Sequence, residues 1–229
     1  MRRSIISLIM SLMFACTVHA QKDVTTFLGI PIDGFKTEMK KKLIAKGFTP
    51  TKQVGQDFLE GEFNGFNVRL YIVTNNNKVY RIMVADASTQ DEANIKIRYN
   101  KLVNQFKNNK RYTCLEDYEL SDSEDISYEM TVNNKTYDAV FYQVPNMEKV
   151  DTTALQSQIR EELLKDFSEE QLKNPTEDIK QTLEKKAMAI GFDMMSKKAV
   201  WFRICRLYGE YYLTMYYDNE YNHANGEDL

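Results

Sequence analysis

A chain of 229 residues with 30 basic and 33 acidic side chains carries little net charge, which excludes the strongly basic proteins that hold nucleic acid by its phosphates. The whole chain has two histidines, which disfavours the catalytic triads and zinc sites that depend on histidine. The length suits one domain or two small ones.

The first twenty residues have the layout of an export signal. Two arginines begin it, an apolar run spans residues 4–15, and Val18 and Ala20 provide the compact side chains that precede a cleavage site. The run is shorter than the roughly 20 apolar residues that cross a bilayer. We therefore expect an exported protein, periplasmic or secreted, cleaved after Ala20 and without a membrane span. A lipoprotein acylated at Cys16 is the alternative.

Loss of the signal's two arginines reduces the 30 basic residues to 28 against 33 acidic ones, a formal charge of −5. The mature chain keeps two cysteines, Cys114 and Cys205, and one histidine, His223. In an exported chain the two cysteines are candidates for a disulfide. Two free thiols inside apolar segments are the alternative.

The predicted elements begin with a helix that Asp33-Gly34 opens and Gly47 ends. Its expected buried stripe is Phe35, Met39 and Leu43.

Three strands follow this helix. Residues 58–63 lead into Asn64-Gly65, a strong signal for a two-residue hairpin turn. Residues 68–72 alternate apolar and polar, as a half-buried strand does. The asparagines at 75–77 then turn the chain into a strand at 79–85.

A capping box at Thr89-x-x-Glu92 begins a second helix, and an acidic linker covers residues 116–125. Residues 126–130 alternate as a strand does, and Asn133-Asn134 turns the chain into another strand at 137–144. The expected buried stripe of the second helix is Ile95, Tyr99, Leu102, Val103 and Phe106.

Residues 151–196 are predicted to be a helical insertion that precedes two last strands at 200–207 and 211–217. Apolar residues recur at helical spacing over 155–163, and Asn174-Pro175-Thr176-Glu177 has the cap, proline and acidic residue that begin a helix. At 46 residues the insertion is too long for a hairpin loop, so we expect a packed flap.

The two halves share an order of helix followed by antiparallel strands. Residues 61–73 parallel 128–140, and 79–87 parallel 211–219. We therefore predict an α+β fold, with helices packed on one face of a mostly antiparallel sheet and a duplicated helix-plus-strands unit. The predicted domains are the signal at 1–20, a first repeat at 21–87, and a second repeat at 88–229 that includes the insertion.

This arrangement resembles the tandem α/β repeats of the beta-lactamase inhibitor protein-like architecture. The closing string YYLTMYYDNEYNHANGEDL is also similar to that of uncharacterised secreted bacterial α/β proteins. The resemblance covers residues 27–220 and is carried by the element order and this tail. It implies a binding fold with a curved aromatic sheet face, and it transfers no catalytic residue.

The sequence shows no nucleophile elbow, phosphate-binding loop or zinc-protease motif. His223 lies in a polar tail, and Asp218, Glu220 and Asn222 alternate without the glycine and glutamate that a calcium loop requires. Asp86 and Asp218 end corresponding strands and are candidate paired carboxylates for glycan hydrolysis. The alternative is that each bonds nearby backbone. We expect no metal and no cofactor.

The stretch at 209–221, GEYYLTMYYDNEY, holds five of the fourteen tyrosines. Alternate residues of a strand face opposite ways, so its odd-numbered residues from 211 to 217 are assigned to the core. The other side would form an outer face rich in the residue types of binding hot spots. Its candidate binding residues are Arg69, Tyr71, Arg81, Tyr142, Trp201, Arg203, Tyr212 and Tyr216. In the alternative reading, tyrosine simply fits a pleated strand and the insertion covers this face as core.

Three classes of function follow. The favoured one is an exported, non-catalytic binding module whose aromatic and arginine face contacts a protein or a glycan. The second is a structural or accessory envelope protein that docks through the helical insertion. The third is a carboxylate-dependent glycan hydrolase.

Overall fold

The structure, a computed structural model, describes residues 23–51, 55, 57–146, 148 and 152–224. The predicted export signal and Cys16 lie outside the described residues. Within the described ranges, no helix is long and apolar enough to cross a membrane.

The chain divides into two compact units. Residues 145–195 form most of one, which we call the helical unit, and residues 24–144 and 196–229 form the other, the sheet unit. The helical unit occupies the place of the predicted insertion, before the last hairpin.

Ten strands and six α-helices make up the described parts of the chain. The strands are β1 (Thr26–Phe27), β2 (Ile30–Pro31), β3 (Thr49–Pro50), β4 (Leu59–Phe63), β5 (Phe66–Asn75), β6 (Lys78–Asp86), β7 (Tyr112–Thr113), β8 (Asp138–Gln143), β9 (Ala199–Leu207) and β10 (Glu210–Asp218). The helices are α1 (Lys36–Ala45), α2 (Glu92–Asn108), α3 (Ile126–Val132), α4 (Thr152–Leu164), α5 (Glu169–Lys173) and α6 (Glu177–Ser196).

One antiparallel sheet of eight strands organises the sheet unit, in the order β3-β4-β5-β6-β10-β9-β8-β7. The small pair β1-β2 lies outside this sheet. Helices and a large antiparallel sheet together confirm the predicted α+β class. The order is symmetric about the β6-β10 junction, with four strands on each side. The duplication itself stays a prediction.

The helices α1 and α2 supply the apolar side chains that cover one face of this sheet. The whole predicted stripe of α2 is buried, and the rings of its Tyr99 and Phe106 lie 5.2 and 5.7 Å from that of Phe202 on β9. Met39 and Leu43 of α1 join the same core. The core therefore lies between these helices and the sheet.

Phe35 does not belong to the buried stripe of α1, so that prediction is wrong. The helix begins one residue later, and Phe35 is its N-cap, with extended backbone and a side chain that is 55 % exposed. The predicted end is confirmed, because Gly47 follows the last turn with φ +100° and donates its N–H to the Ile44 carbonyl.

Three two-residue turns connect neighbouring strands as tight hairpins. They are Asn64-Gly65 between β4 and β5, Asn76-Asn77 between β5 and β6, and Tyr208-Gly209 between β9 and β10. Both central residues of each turn have positive φ, as type I′ turns require. This geometry matches the twist of the flanking strands, so these pairings are fixed locally.

The predicted strand at 126–130 is wrong, because these residues form the helix α3. The side chain of Asp125 accepts a hydrogen bond from the Tyr128 N–H and caps the helix, and Ile126 is buried beneath it. Residues 126 and 130 are also one helical turn apart, so the apolar spacing of this short run fits the two-residue period of a strand and the 3.6-residue period of a helix. The match of 61–73 with 128–140 fails for the same reason.

The predicted capping box at Thr89 is also wrong. Asp91 is the N-cap of α2, and its carboxylate accepts from the Asn94 N–H at 2.8 Å. Thr89 lies further out and donates its hydroxyl to Glu210. Aspartate is at least as favourable an N-cap as threonine, and Asp91 lies closer than Thr89 to Ile95, the first buried residue of the helix.

Candidate binding face

Strand register places the predicted outer residues on the face opposite α1 and α2. The odd-numbered residues of β10 from 211 to 217 are buried on the helix side, so Tyr212 and Tyr216 lie on the other. Tyr216 pairs directly with Trp201 on β9 and with Met83 on β6, and Met83 pairs with Tyr71 on β5.

The remaining predicted residues follow from the same pairings. Arg203 on β9 and Arg69 on β5 lie in one cross-strand row, and Arg81 on β6 pairs with Asp218 on β10. Tyr142 of β8 pairs with Ala199 and shares this side. All eight candidate residues therefore lie on one side of the sheet and are half-buried, and we call this side the outer face.

A stacked aromatic pair lies at the centre of the outer face. The rings of Trp201 and Tyr216 have centroids 3.9 Å apart and an interplanar angle of 16°. The Arg81 guanidinium lies 5.0 Å from the Tyr216 ring centroid, and that of Arg203 lies 5.6 Å from the Trp201 ring. Both distances are within the range of cation–π attraction. The cross-strand pairing of β9 and β10 therefore produces an arginine–aromatic stack.

Two carboxylates that the sequence analysis did not assign to the outer face hold these arginines. Asp218 accepts two hydrogen bonds from Arg81, at 2.6 and 2.8 Å, and one from the Trp201 indole N–H at 2.9 Å. Asp138 accepts two from Arg203. The bond to Asp218 raises the pKa of Arg81, and the bond to Asp138 raises that of Arg203. Both aspartates directly oppose these arginines on strands that pair in the sheet, so only the strand register could reveal them.

Arg69 differs from the other two arginines of the outer face. Its guanidinium lies 5.7 Å from the ring of the buried Phe58, which in turn packs against Tyr71. Its buried Nε has no hydrogen-bond partner among the described residues. The contact with the Phe58 ring, rather than a hydrogen bond at Nε, therefore positions the Arg69 side chain.

Tyr212 and Cys205 oppose each other at the hairpin end of the outer face. Partial burial raises the pKa of Tyr212, and the Cys205 thiol lies 3.3 Å from the Thr214 hydroxyl. Cys114 packs instead against the core on the helix side. Both cysteines are free thiols, so the candidate disulfide is not formed. The sheet lies between them.

Asp86 and Asp218 end corresponding strands but point to opposite faces. The register of β5 against β6 shifts by one residue next to Val73, which makes Tyr80 an extra residue on β6. Such a bulge reverses the alternation of the strand beyond it. The sheet therefore separates the two carboxyl groups, and they do not form the paired carboxylates that glycan hydrolysis needs.

The alternative expectation, that each aspartate bonds nearby backbone, holds for Asp86 only in part and not for the Asp218 carboxylate. Asp86 accepts two bonds from Arg98 of α2 and one from the Leu213 N–H of β10. Asp218 binds side chains instead. The described residues contain no group of three His, Cys, Asp or Glu side chains placed to hold a metal ion.

Comparisons with protein-family profiles, with curated proteins and with solved structures found no match to this chain.

Proposed function

We propose that the protein is an exported, non-catalytic binding module that contacts its partner, a protein or a glycan, through the outer face. The observation that supports this most directly is the Trp201–Tyr216 stack held between two arginines on the half-exposed side of the sheet. Tryptophan, tyrosine and arginine are the residues that contribute most to protein-binding hot spots.

Ring orientation favours a protein partner over a sugar. A sugar ring stacks on the open face of an aromatic side chain, but Trp201 and Tyr216 cover one face of each other at 3.9 Å. Their other faces are bordered by neighbouring residues of the same cross-strand row, Val140 and Met83. The pair therefore presents ring edges rather than open ring faces, which suits the mixed surface of a protein.

The double substitution Tyr212→Ala and Tyr216→Ala tests this proposal. We expect a loss of partner affinity of at least about tenfold, because two hot-spot side chains are removed. The change in melting temperature should stay within a few degrees, since both rings are half-buried rather than core residues. The measurement is calorimetric titration of the partner recovered by affinity capture from the native envelope, alongside thermal melting.

Ile97→Ala is the control, because this apolar side chain is exposed on α2, on the helix side of the sheet and away from the outer face. It should leave the affinity unchanged. A double variant that unfolds would show that the outer face is ordinary core, and a folded double variant with wild-type affinity would contradict the proposal.

A second candidate function is docking through the helical unit. None of the described side chains of α4, α5 and α6 is fully buried, and apolar side chains are exposed on two of these helices. They are Leu164, Met188 and Phe192. Exposed apolar residues of this kind are typical of a surface that a partner covers.

Deleting the helical unit distinguishes the two candidates. Gln143 donates its backbone N–H to the Lys198 carbonyl at the end of the β8–β9 pairing, so an Asn-Gly turn in place of residues 144–197 can close this pair as a tight hairpin. We expect the sheet unit to stay folded, with its free energy of unfolding changed by no more than about 2 kcal/mol. Retained partner affinity would support the outer face. Affinity lost in this folded variant would favour the helical unit.

A further inference from the structure

The turn between β9 and β10 departs from the other two tight turns of the sheet. All three have positive φ at both central residues, but the first of these residues is asparagine in two turns and Tyr208 in the third. Asparagine adopts this left-handed conformation readily, whereas a bulky aromatic residue there is uncommon and strained. The requirements of folding alone do not explain a tyrosine at this position.

Tyr208 gains no packing in return for this strain. Its side chain is 98 % exposed, the most of any large hydrophobic residue among those described. Strain without compensating contacts within the fold is typical of a residue that serves a function.

Further exposed apolar side chains lie on the two elements next to this projecting ring, β9 and α3. Leu207 beside it is 46 % exposed. On α3, Tyr128 and Val132 are 54 % and 55 % exposed and lie one helical turn apart, on the same face of the helix. The Thr131 hydroxyl accepts a hydrogen bond from Arg206 at 2.5 Å, which places α3 against the hairpin. We call the surface of Tyr128, Val132, Leu207 and Tyr208 the tip surface.

We propose that the tip surface is a second interaction site, where Tyr208 inserts into an apolar pocket of a protein partner whose rim is basic. A single projecting tyrosine supplies a large and rigid contact area at a low cost in conformational entropy. This site lies beyond the outer face and does not depend on its function.

The charges next to the tip surface favour a protein over a lipid membrane. Glu210 follows the turn directly, and Glu129 follows Tyr128 on α3. Arg206 is the cation next to Leu207. Carboxylates placed this way repel the anionic surface of a bacterial membrane but complement a basic pocket rim.

Photo-crosslinking in cells that produce the full chain tests the site. The photoreactive residue p-benzoylphenylalanine replaces Tyr208, and it replaces Asn64 and Asn76 in two matched controls with the same turn geometry. We expect a discrete adduct with another protein from position 208 and none from the controls. No adduct, equal adducts from a control, or an adduct with lipid or a second copy of this chain would overturn the proposal.

The substitution Tyr208→Asn provides the second measurement. It restores the residue type of the other two turns, so we expect the melting temperature to rise by about 2 °C. The purified partner from the adduct should bind this variant at least about tenfold more weakly than wild type. A lower melting temperature would show that Tyr208 serves the fold. Unchanged affinity would overturn the proposal. If the wild type binds phosphatidylglycerol vesicles and the Tyr208→Asn variant does not, the tip surface contacts the membrane, and the proposal is overturned.

Discussion

Replacing Asp86 with Ala is expected to lower the free energy of unfolding by about 3–5 kcal/mol. The Asp86 and Arg98 side chains are 4 % and 3 % exposed, and they form two hydrogen bonds with each other. The substitution leaves the Arg98 guanidinium buried without its counter-charge, and it also leaves the Leu213 N–H without its acceptor. A buried charge without a partner is among the largest single costs a fold can carry.

Urea unfolding measures this difference, with Asp57→Ala as the control. Asp57 forms ion pairs with Lys36 and Lys40, and these lysines lower its pKa to about 2. Its side chain is 53 % exposed, so we expect its removal to cost no more than about 1 kcal/mol. Equal effects at the two aspartates would show that burial does not determine the strength of the Asp86 pair.

Asp218→Ala is expected to cost about 2–3 kcal/mol and to disturb the outer face. Asp218 is buried, and its carboxylate holds both the Arg81 guanidinium and the Trp201 indole N–H. Without it, Arg81 lacks an ion-pair partner and the Trp201–Tyr216 stack loses one of its anchors. Because Trp201 is the single tryptophan of the chain, its fluorescence reports directly on this position.

Urea unfolding and the tryptophan emission spectrum, measured together, test this expectation. Asp138→Ala is the matched control, since it removes the same two-bond geometry from Arg203, whose side chain is 42 % exposed. The control should cost about 1 kcal/mol or less. An Asp218→Ala variant with wild-type stability and emission would mean that Asp218 does not organise the outer face.

Alternation along β10 was the part of the sheet most accurately predictable from sequence. Its odd-numbered residues from 211 to 217 are all buried, and the partner strands place the eight candidate residues on the other side. The reliability has a physical basis, because a strand with one face in a core cannot slip by one residue without exposing every apolar side chain. Their role in binding stays a prediction.

The wrong predictions have separate causes, and the first is that the spacing of apolar residues in a short segment fits a helix as well as a strand. Residues 126–130 fit a strand or one turn of helix, and Asp125 as a cap decides for the helix. The bulge at Tyr80 inserts one residue without any glycine or proline to mark it, so the opposite orientations of Asp86 and Asp218 could not be read from their equivalent positions. Predicting the ion pairs of the outer face would have required the register between strands that pair in the sheet but lie far apart in the chain, β6 with β10 and β8 with β9.

The path of the chain between β8 and β9 has a consequence for the order of folding. The hairpins β4-β5, β5-β6 and β9-β10 close through two-residue turns, so they can form early from local contacts. The pairing of Tyr142 with Ala199 instead has to bring together chain segments separated by the whole helical unit. Each doubling of such a loop adds about 0.6 kcal/mol of closure entropy, and non-local pairings form slowly. We therefore expect β8 to join β9 after the local hairpins have formed, at a time that depends on the length of chain that the helical unit occupies.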